Sequence, residues 1–362
     1  MQSKLYKDLN DLPACYAALF EATARQNFYA SRPWFRTLVE TTREAGDGLQ
    51  LYGLEDDAGA AVALLVARNG VGGIAGGRAG DPRALSGFST MYTTHYLPLI
   101  HPTAVTPEAA AEGFARALAA EKPAWQVMNF DALDPAEPFF PAFETALRGA
   151  GFVVQSYAHF GNWYESTEGD SLESFMARRP SALRNTVKRK GRKLEKMEDV
   201  SFEIITDDEG VGRAMDAYDA IYANSWKEPE PFPEFTRRLV KEAAAAACLC
   251  MGTVFLGDRP AASQIWIVSG GRATIFKLAY DEEFKKLSAG SVLTVKLLEH
   301  VLNHNDIVEV DYGRGDDAYK KQWLSQRRER RGIVAFNPRT LTGAIGALRH
   351  VGGSRLKLWV GR

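Results

Sequence analysis

The stretch from residue 261 to residue 323 constrains the fold more than any other part of the chain. Residues 262–268 and 273–279 are rich in β-branched and aromatic side chains, with Gly270 and Gly271 between them, which predicts a hairpin. A run of small residues follows, Ser288-Ala289-Gly290-Ser291. After it Val292, Val295, Leu298, Val301 and Leu302 recur at helical spacing and mark one buried face. Residues 307–311 read as a strand, and Tyr312-Gly313-Arg314-Gly315-Asp316 as a turn at its C-terminal end. A helix that starts in a small-residue loop lets a ligand approach the backbone. Its first-turn N–H groups have no partner within the helix, so they favour anions such as pyrophosphate. The competing reading is an ordinary N-cap at Ser288.

Composition sets outer limits. A chain of 362 residues has room for two domains of ordinary size. With 46% apolar and 25% charged residues and no apolar run of about 20, it reads as a soluble globular protein without a membrane span. The opening MQSKLYKDLNDLP has no apolar core, so no secretory signal is expected and the cytoplasm is the default. Three cysteines argue against a disulfide framework, and Cys248 and Cys250 read as core positions on one strand face. The net charge of −1 conceals two basic segments, 178–196 and 327–362, each with nine basic residues and one acidic. They suggest an anionic ligand or surface.

Helices are expected over 12–24, 26–39 (with Ser31 capping ahead of Pro33), 106–120, 139–149, 172–197, 214–223, 235–247 and 341–351. Strands are expected over 49–54, 61–67, 91–100, 125–130, 152–164, 202–205, 249–255 and 332–336. The glycines of 70–77 imitate a dinucleotide fingerprint. That motif needs a helix directly after them, and further glycines and Pro82 follow instead, so a flexible or bulged strand-and-loop region is expected. The second half roughly repeats the element order of the first, which suggests tandem α/β units. Ser, Thr, Glu, Gly and Asp cluster over 166–171 and place the boundary there.

Arg184, Lys188 and Arg192 fall at four-residue spacing on one helix face. That face is either simply solvated or a clamp for a diphosphate-linked sugar, a lipid headgroup surface or a tRNA acceptor stem. It lacks the interleaved aromatics of a nucleic-acid surface. Asp311, Tyr312, Arg314, Asp316, Tyr319 and Lys320 gather at a strand end, where α/β sheets commonly meet ligands. There Asp311 can orient an amine or accept its proton, and Lys320 can stabilise an oxyanion. A structural pair of Asp311 with Arg314 or Lys320 is the alternative. Tyr280 ends the preceding strand and is a candidate acid for a leaving thiolate. His300 and His304 lack the glutamate of H-E-x-x-H, so zinc is not expected, and neither a serine elbow nor a Walker loop occurs. Arg327, Arg328, Arg330 and Arg331 read as a basic outer face, although an arginine cluster also suits a bis-phosphate.

The run YD…SAGSVL…LLEHVL…VDYGRGDDAYKKQWL resembles the BioF-like (CelD-type) acetyltransferase domain of the GNAT superfamily, with Ala289 where many relatives carry proline. Two shorter stretches are similar to segments of the same architecture: FYASRPWF near the N-terminus, and YDAIYANSWK over 218–227, where Tyr222, Trp226 and Lys227 would line an acceptor cleft. The resemblance implies two tandem GNAT-like domains, as in FemAB-type aminoacyltransferases, each a mixed, mainly antiparallel sheet flanked by helices. The divisions would be 1–168 (a degenerate N-terminal domain), 169–338 (the acyltransferase domain) and a basic tail, 339–362. It implies acetyl-CoA or another acyl-CoA as co-substrate, held by Lys286, Ser288, Ala289, Gly290 and Ser291, and no metal. Asp311, Lys320 and Tyr280 would be catalytic. Arg184, Lys188, Tyr222, Trp226, Lys227, Arg314 and Tyr319 would meet a small or lipid-linked amine, such as an amino sugar of a surface polysaccharide. Aminoacyl-tRNA as donor is the alternative. So is a non-catalytic role in binding cyclic di-GMP or the inner membrane surface.

Overall fold

The computed structural model describes residues 1–44, 46–70, 81–304 and 306–360, with side chains described to residue 350. Most of the glycine run expected as a bulged loop, 71–77, lies outside the described residues. In chain order the elements are β1 (Gln2–Tyr6), α1 (Cys15–Ala24), α2 (Arg32–Thr42), β2 (Gly48–Glu55), β3 (Ala61–Asn69), β4 (Ala84–Gly87), β5 (Leu99–Ile100), α3 (Pro107–Ala120), β6 (Val127–Leu133), α4 (Phe139–Gly149) and β7 (Val153–Ser166). There follow α5 (Leu172–Ala177), α6 (Ser181–Glu195), β8 (Val200–Ile205), α7 (Val211–Ala223), α8 (Pro233–Ala245), β9 (Leu249–Leu256), β10 (Arg259–Ser269) and β11 (Arg272–Tyr280). The last are α9 (Ala289–His304), β12 (Glu309–Asp311), α10 (Lys320–Trp323), β13 (Gln326–Phe336) and α11 (Leu341–Val360).

Two compact units divide the chain. The first takes Met1–Ala24, Tyr29–Phe160 and Glu329–Arg362. Its strands run in the order β1-β2-β3-β4-β6-β13, antiparallel except for the parallel β4–β6 pair. Phe114 of α3, Phe139 and Phe143 of α4 and Phe130 of β6 are buried together and join these helices to the sheet. The helix starts follow the chemistry of their caps. Ser31 Oγ accepts from the Trp34 amide over 3.2 Å, and Thr106 Oγ1 from that of Ala109 over 3.2 Å.

Two expectations fail in this unit. The strand expected over 91–100 shrinks to Leu99–Ile100. Residues 92–96 are buried as an irregular segment, its backbone tied by the Tyr96 amide to the carbonyl of Ala132 and its ring by the Tyr96 hydroxyl to that of Val66, 2.7 Å away. β-Branched and aromatic residues reported burial there, not strand pairing. The tail arginines form no free basic face. Arg330 is buried against the Asp134 carboxylate, and Arg331 donates to Glu329 over 3.2 Å.

The second unit takes Arg25–Phe28 and Gly161–Arg328. The end of β7 pairs with β12, β12 runs parallel to β11, and β11, β10, β9 and β8 continue antiparallel. The expected hairpin is β10–β11, turning at Gly270 and Gly271, both at positive φ. A side chain at Gly270 would also strike the Gln26 carbonyl. Ile265 faces Lys277 while Trp266 faces Ile275, so Phe276 is the extra residue of a bulge. Helix α9 packs on this sheet through Leu293, Leu297, Leu298 and Val301, each at most 1% exposed. Burying such a side chain contributes about 1.5–3 kcal/mol. Gly252 of β9 leaves the space that Leu293 and Leu297 fill. Cys250 is buried in the same core as expected, whereas Cys248 sits half-buried before β9 starts.

Apart from the short Arg25–Phe28 segment, the two compact units change over after Phe160 and after Arg328. In the Ser/Thr/Gly/Asp cluster, Ser171 caps α5: its Oγ accepts from the Ser174 amide in a capping box.

Candidate active site

Glu282–Leu287 forms a 3-10 turn, capped at its start by Asp281, whose carboxylate accepts from the Glu283 amide over 2.9 Å. Ser288 ends that turn in the left-handed region (φ 55°, ψ 35°), which excludes the ordinary N-cap, a β-region conformation. Its carbonyl accepts from the amides of Ser291 and Val292, at 3.0 and 3.2 Å. That leaves the amides of Ala289 and Gly290 at the positive end of the α9 dipole.

This helix start opens into a pocket of about 490 Å3, wholly within the second unit and of ordinary size for a small-molecule site. Ser288, Ala289, Gly290 and Ser291 line one side. Ala182, Leu183 and Thr186 of α6 line another. Aromatic residues close the rest. Trp226 stacks on Tyr280 with ring centroids 4.4 Å apart, and Tyr319 meets Tyr312 edge-on at 5.6 Å. Burial and the nearby Glu282 carboxylate raise the Tyr280 phenol above its ordinary range, so it stays protonated and can donate at neutral pH.

Other expected residues stand apart from the lining. Lys286 is exposed, and its carbonyl accepts from Lys190; the neighbouring Lys285 lines the pocket instead. Arg184 and Lys188 lie exposed on α6, away from the face that carries Leu183 and Thr186. Lys188 joins Arg189, Arg192, Lys193 and Lys196 in a shallow basic groove. Tyr222 donates to the Glu228 carbonyl over 2.8 Å, and Arg314 is exposed beyond the pocket.

Asp311 is buried and bonded to neighbouring donors of the protein. It is 3% exposed; one carboxylate oxygen accepts from Asn162 at 2.6 Å and the Gly313 amide at 2.5 Å, the other from Arg328 at 2.6 Å. Arg328 is therefore an ion-pair partner of Asp311. Arg328 also chelates Glu309, at 2.7 and 2.9 Å. Lys320 is 4% exposed and holds the turn closed: its ammonium donates to the Arg314 carbonyl at 2.5 Å and lies 3.1 Å from Asp317. Burial lowers its pKa.

Gln264 was not foreseen. Fully buried in β10, its Nε2 donates to the Gly290 carbonyl and to Thr294 Oγ1, both at 2.8 Å, and its Oε1 accepts from Trp266 at 2.9 Å. A lone amide in the apolar run AASQIWIV was its signal. Among the described residues no group of three His, Cys, Asp or Glu side chains could hold a metal, and no helix is long and apolar enough to cross a membrane.

The family described as "Acetyltransferase (GNAT) domain" matches residues 181–321, which span α6 to α10 and the whole pocket lining up to Lys321. No curated protein matches the sequence. Solved structures share the fold at low identity. FemX is 9% identical with a TM-score of 0.59, over 92% of this chain and 97% of that one. A conserved protein of unknown function from Bacteroides thetaiotaomicron is 11% identical with a TM-score of 0.58, over 92% and 100%. L-PGS from Bacillus licheniformis is 12% identical with a TM-score of 0.50, over 87% and 94%. The fold and the matched segment define an acyltransferase. Its second unit carries the segment that matches the GNAT acetyltransferase domain.

Proposed function

We propose that this acyltransferase is an acyl-CoA-dependent N-acyltransferase acting on an amine, with an amino sugar of a surface polysaccharide or the cell envelope as the acceptor class. The first unit would be a degenerate GNAT-like domain, and the enzyme would work in the cytoplasm or at the inner face of the membrane. The observation that carries this reading is the opening of the α9 start, with the Ala289 and Gly290 amides, into a pocket of cofactor size. The donor's pyrophosphate would rest on those amides and its thioester would lie toward the aromatic wall. A neutral amine would attack the thioester carbon directly, forming C–N and breaking C–S. Tyr280 would protonate the leaving thiolate and recover its proton from the attacking nitrogen, which loses one as the amide forms. Lys320 would stabilise the oxyanion, and Asp311 would act through Arg328 and Asn162 by fixing the 312–316 turn.

The basic groove on α6 favours a second reading, aminoacyl-tRNA as donor. It predicts RNA binding that weakens steeply with salt. A cyclic di-GMP site at the tail arginines has no support, because those side chains are engaged by carboxylates.

Calorimetric titration with acetyl-CoA tests the leading reading, with a variant carrying bulky side chains at Ser288 and Gly290 as control. Saturable binding that the variant loses is expected. Absence of binding at millimolar donor would overturn acyl-CoA dependence and leave aminoacyl-tRNA next in line.

A further inference from the structure

Lys227 follows the pocket residue Trp226 and lies beside two aromatic rings. Its ammonium lies 5.7 Å from the ring centroid of Trp226 and 5.8 Å from that of Tyr222. Trp226 lines the pocket and stacks on Tyr280, so Lys227 adjoins the pocket wall. The charged groups around it are Lys277 of β11, Lys320 of α10, Glu230 and Asp317. Both carboxylates are already taken: Glu230 by Lys277, and Asp317 by Lys320 at 3.1 Å. Three lysines share two carboxylates, and Lys227 is the one left over.

Burial first, and then the charge of Lys277, lower its pKa to about 8. A useful fraction is therefore the free amine near neutral pH. The two ring contacts favour the ammonium but sit near the outer limit of about 6 Å, where they are weak. Lys285 is the internal contrast. It lines the same pocket, but the Glu282 carboxylate 3.1 Å away raises its pKa and keeps it protonated.

We infer that Lys227 is a self-acylation site, which takes the acyl group from the bound thioester when no amine acceptor is present. The inference rests on the acyl-CoA reading above. The amine of Lys227 attacks the thioester carbonyl; a C–N bond forms and the C–S bond breaks. CoA leaves as the thiolate and takes up the proton that the attacking nitrogen loses. The product is an amide, which is too unreactive to pass the acyl group on. Acylation therefore removes a cation and fills the space between Tyr222 and Trp226, closing the acceptor side of the pocket.

The test incubates the full chain with acetyl-CoA alone at several pH values and maps acetyl groups by peptide mass spectrometry. Acetylation of Lys227 is expected at least tenfold ahead of Lys285, Lys188 and Lys193. Its rate should rise with pH and level off above about 8, and excess CoA should suppress it. Equal acetylation of Lys285, or a rate that CoA does not slow, overturns the proposal even where calorimetry shows that acetyl-CoA binds. If acetyl-CoA does not bind, the donor reading fails, and limiting acetic anhydride separates the two ideas. Lys227 reacting ahead of Lys285 then keeps the nucleophile and discards only the acyl source; equal reactivity discards both.

Discussion

The side-chain amide of Gln264 donates to the backbone carbonyl of Gly290 over 2.8 Å, which ties the middle of β10 to the first turn of α9. Thr294 Oγ1 closes the triangle, accepting from Gln264 at 2.8 Å and donating to the same carbonyl at 3.0 Å. The helix start that carries the Ala289 and Gly290 amides is thus positioned by a buried polar group on a strand. Gln264→Leu removes the acceptor of Trp266 and one donor to Gly290, and should cost about 1–3 kcal/mol by chemical denaturation. The same variant should raise the KM for the donor several-fold more than it lowers kcat, because it moves a binding element. Unchanged KM in the folded variant would limit Gln264 to a packing role.

Arg328 neutralises a carboxylate buried beneath the candidate site. Arg328→Met removes a cation bonded to the buried Asp311 carboxylate and should cost about 3–5 kcal/mol. Arg328→Met combined with Asp311→Asn should recover much of that loss, a positive coupling readable in a double-mutant cycle. Additive losses would mean that the two side chains do not act as a pair.

Glu165 supplies a pH signature. Burial alone would raise its carboxyl, but hydrogen bonds from Arg179 at 2.8 Å and from the Ser325 amide at 2.7 Å outweigh burial and hold it below its ordinary range. The folded pKa lies below the unfolded one, so this stabilisation is complete above the unfolded value, about 4.3. It is lost as pH falls through the folded value. Glu165→Gln should therefore be less stable than the parent at neutral pH, with the gap closing on acidification below about pH 4.5. A gap that widens in acid would show the sign to be wrong.

The parts of the structure that were legible are those governed by local pattern. The β10–β11 hairpin, α9 and the small-residue helix start follow from turn glycines and apolar spacing within 30 or so residues. The arginines at 327–331 were misread because counting charge along the chain cannot see their partners. Arg330 meets Asp134 and Arg328 meets Asp311, pairs that only the folded chain brings together. Asp311 was placed at the right strand end, yet its role was assigned without Asn162, which lies on β7. Strand β1 was passed over because QSKLY is short and mostly exposed, with too few apolar positions to show alternation. In the sequence Lys227 shows only as part of the YDAIYANSWK segment. Its crowding by Lys277 and Lys320 could not be read from spacing, since the three lie on separate elements.

Lys320 lets structure and chemistry be separated. Its ammonium donates to the Arg314 carbonyl at 2.5 Å and the Gly315 carbonyl at 3.4 Å, and pairs with Asp317 at 3.1 Å. Lys320→Met keeps most of the buried stem but leaves those acceptors unpaired, so a loss of about 1–3 kcal/mol in stability is expected. If Lys320 also meets the oxyanion, kcat should fall by about 100-fold or more in the folded variant while donor affinity is retained. Turnover measured well below the melting transition, beside calorimetry with acetyl-CoA, distinguishes the two roles. A folded Lys320→Met enzyme that keeps its kcat would confine this lysine to holding the 312–316 turn. The oxyanion would then have to be met by other donors of the pocket, with the Ser288 and Ser291 side chains the next to replace.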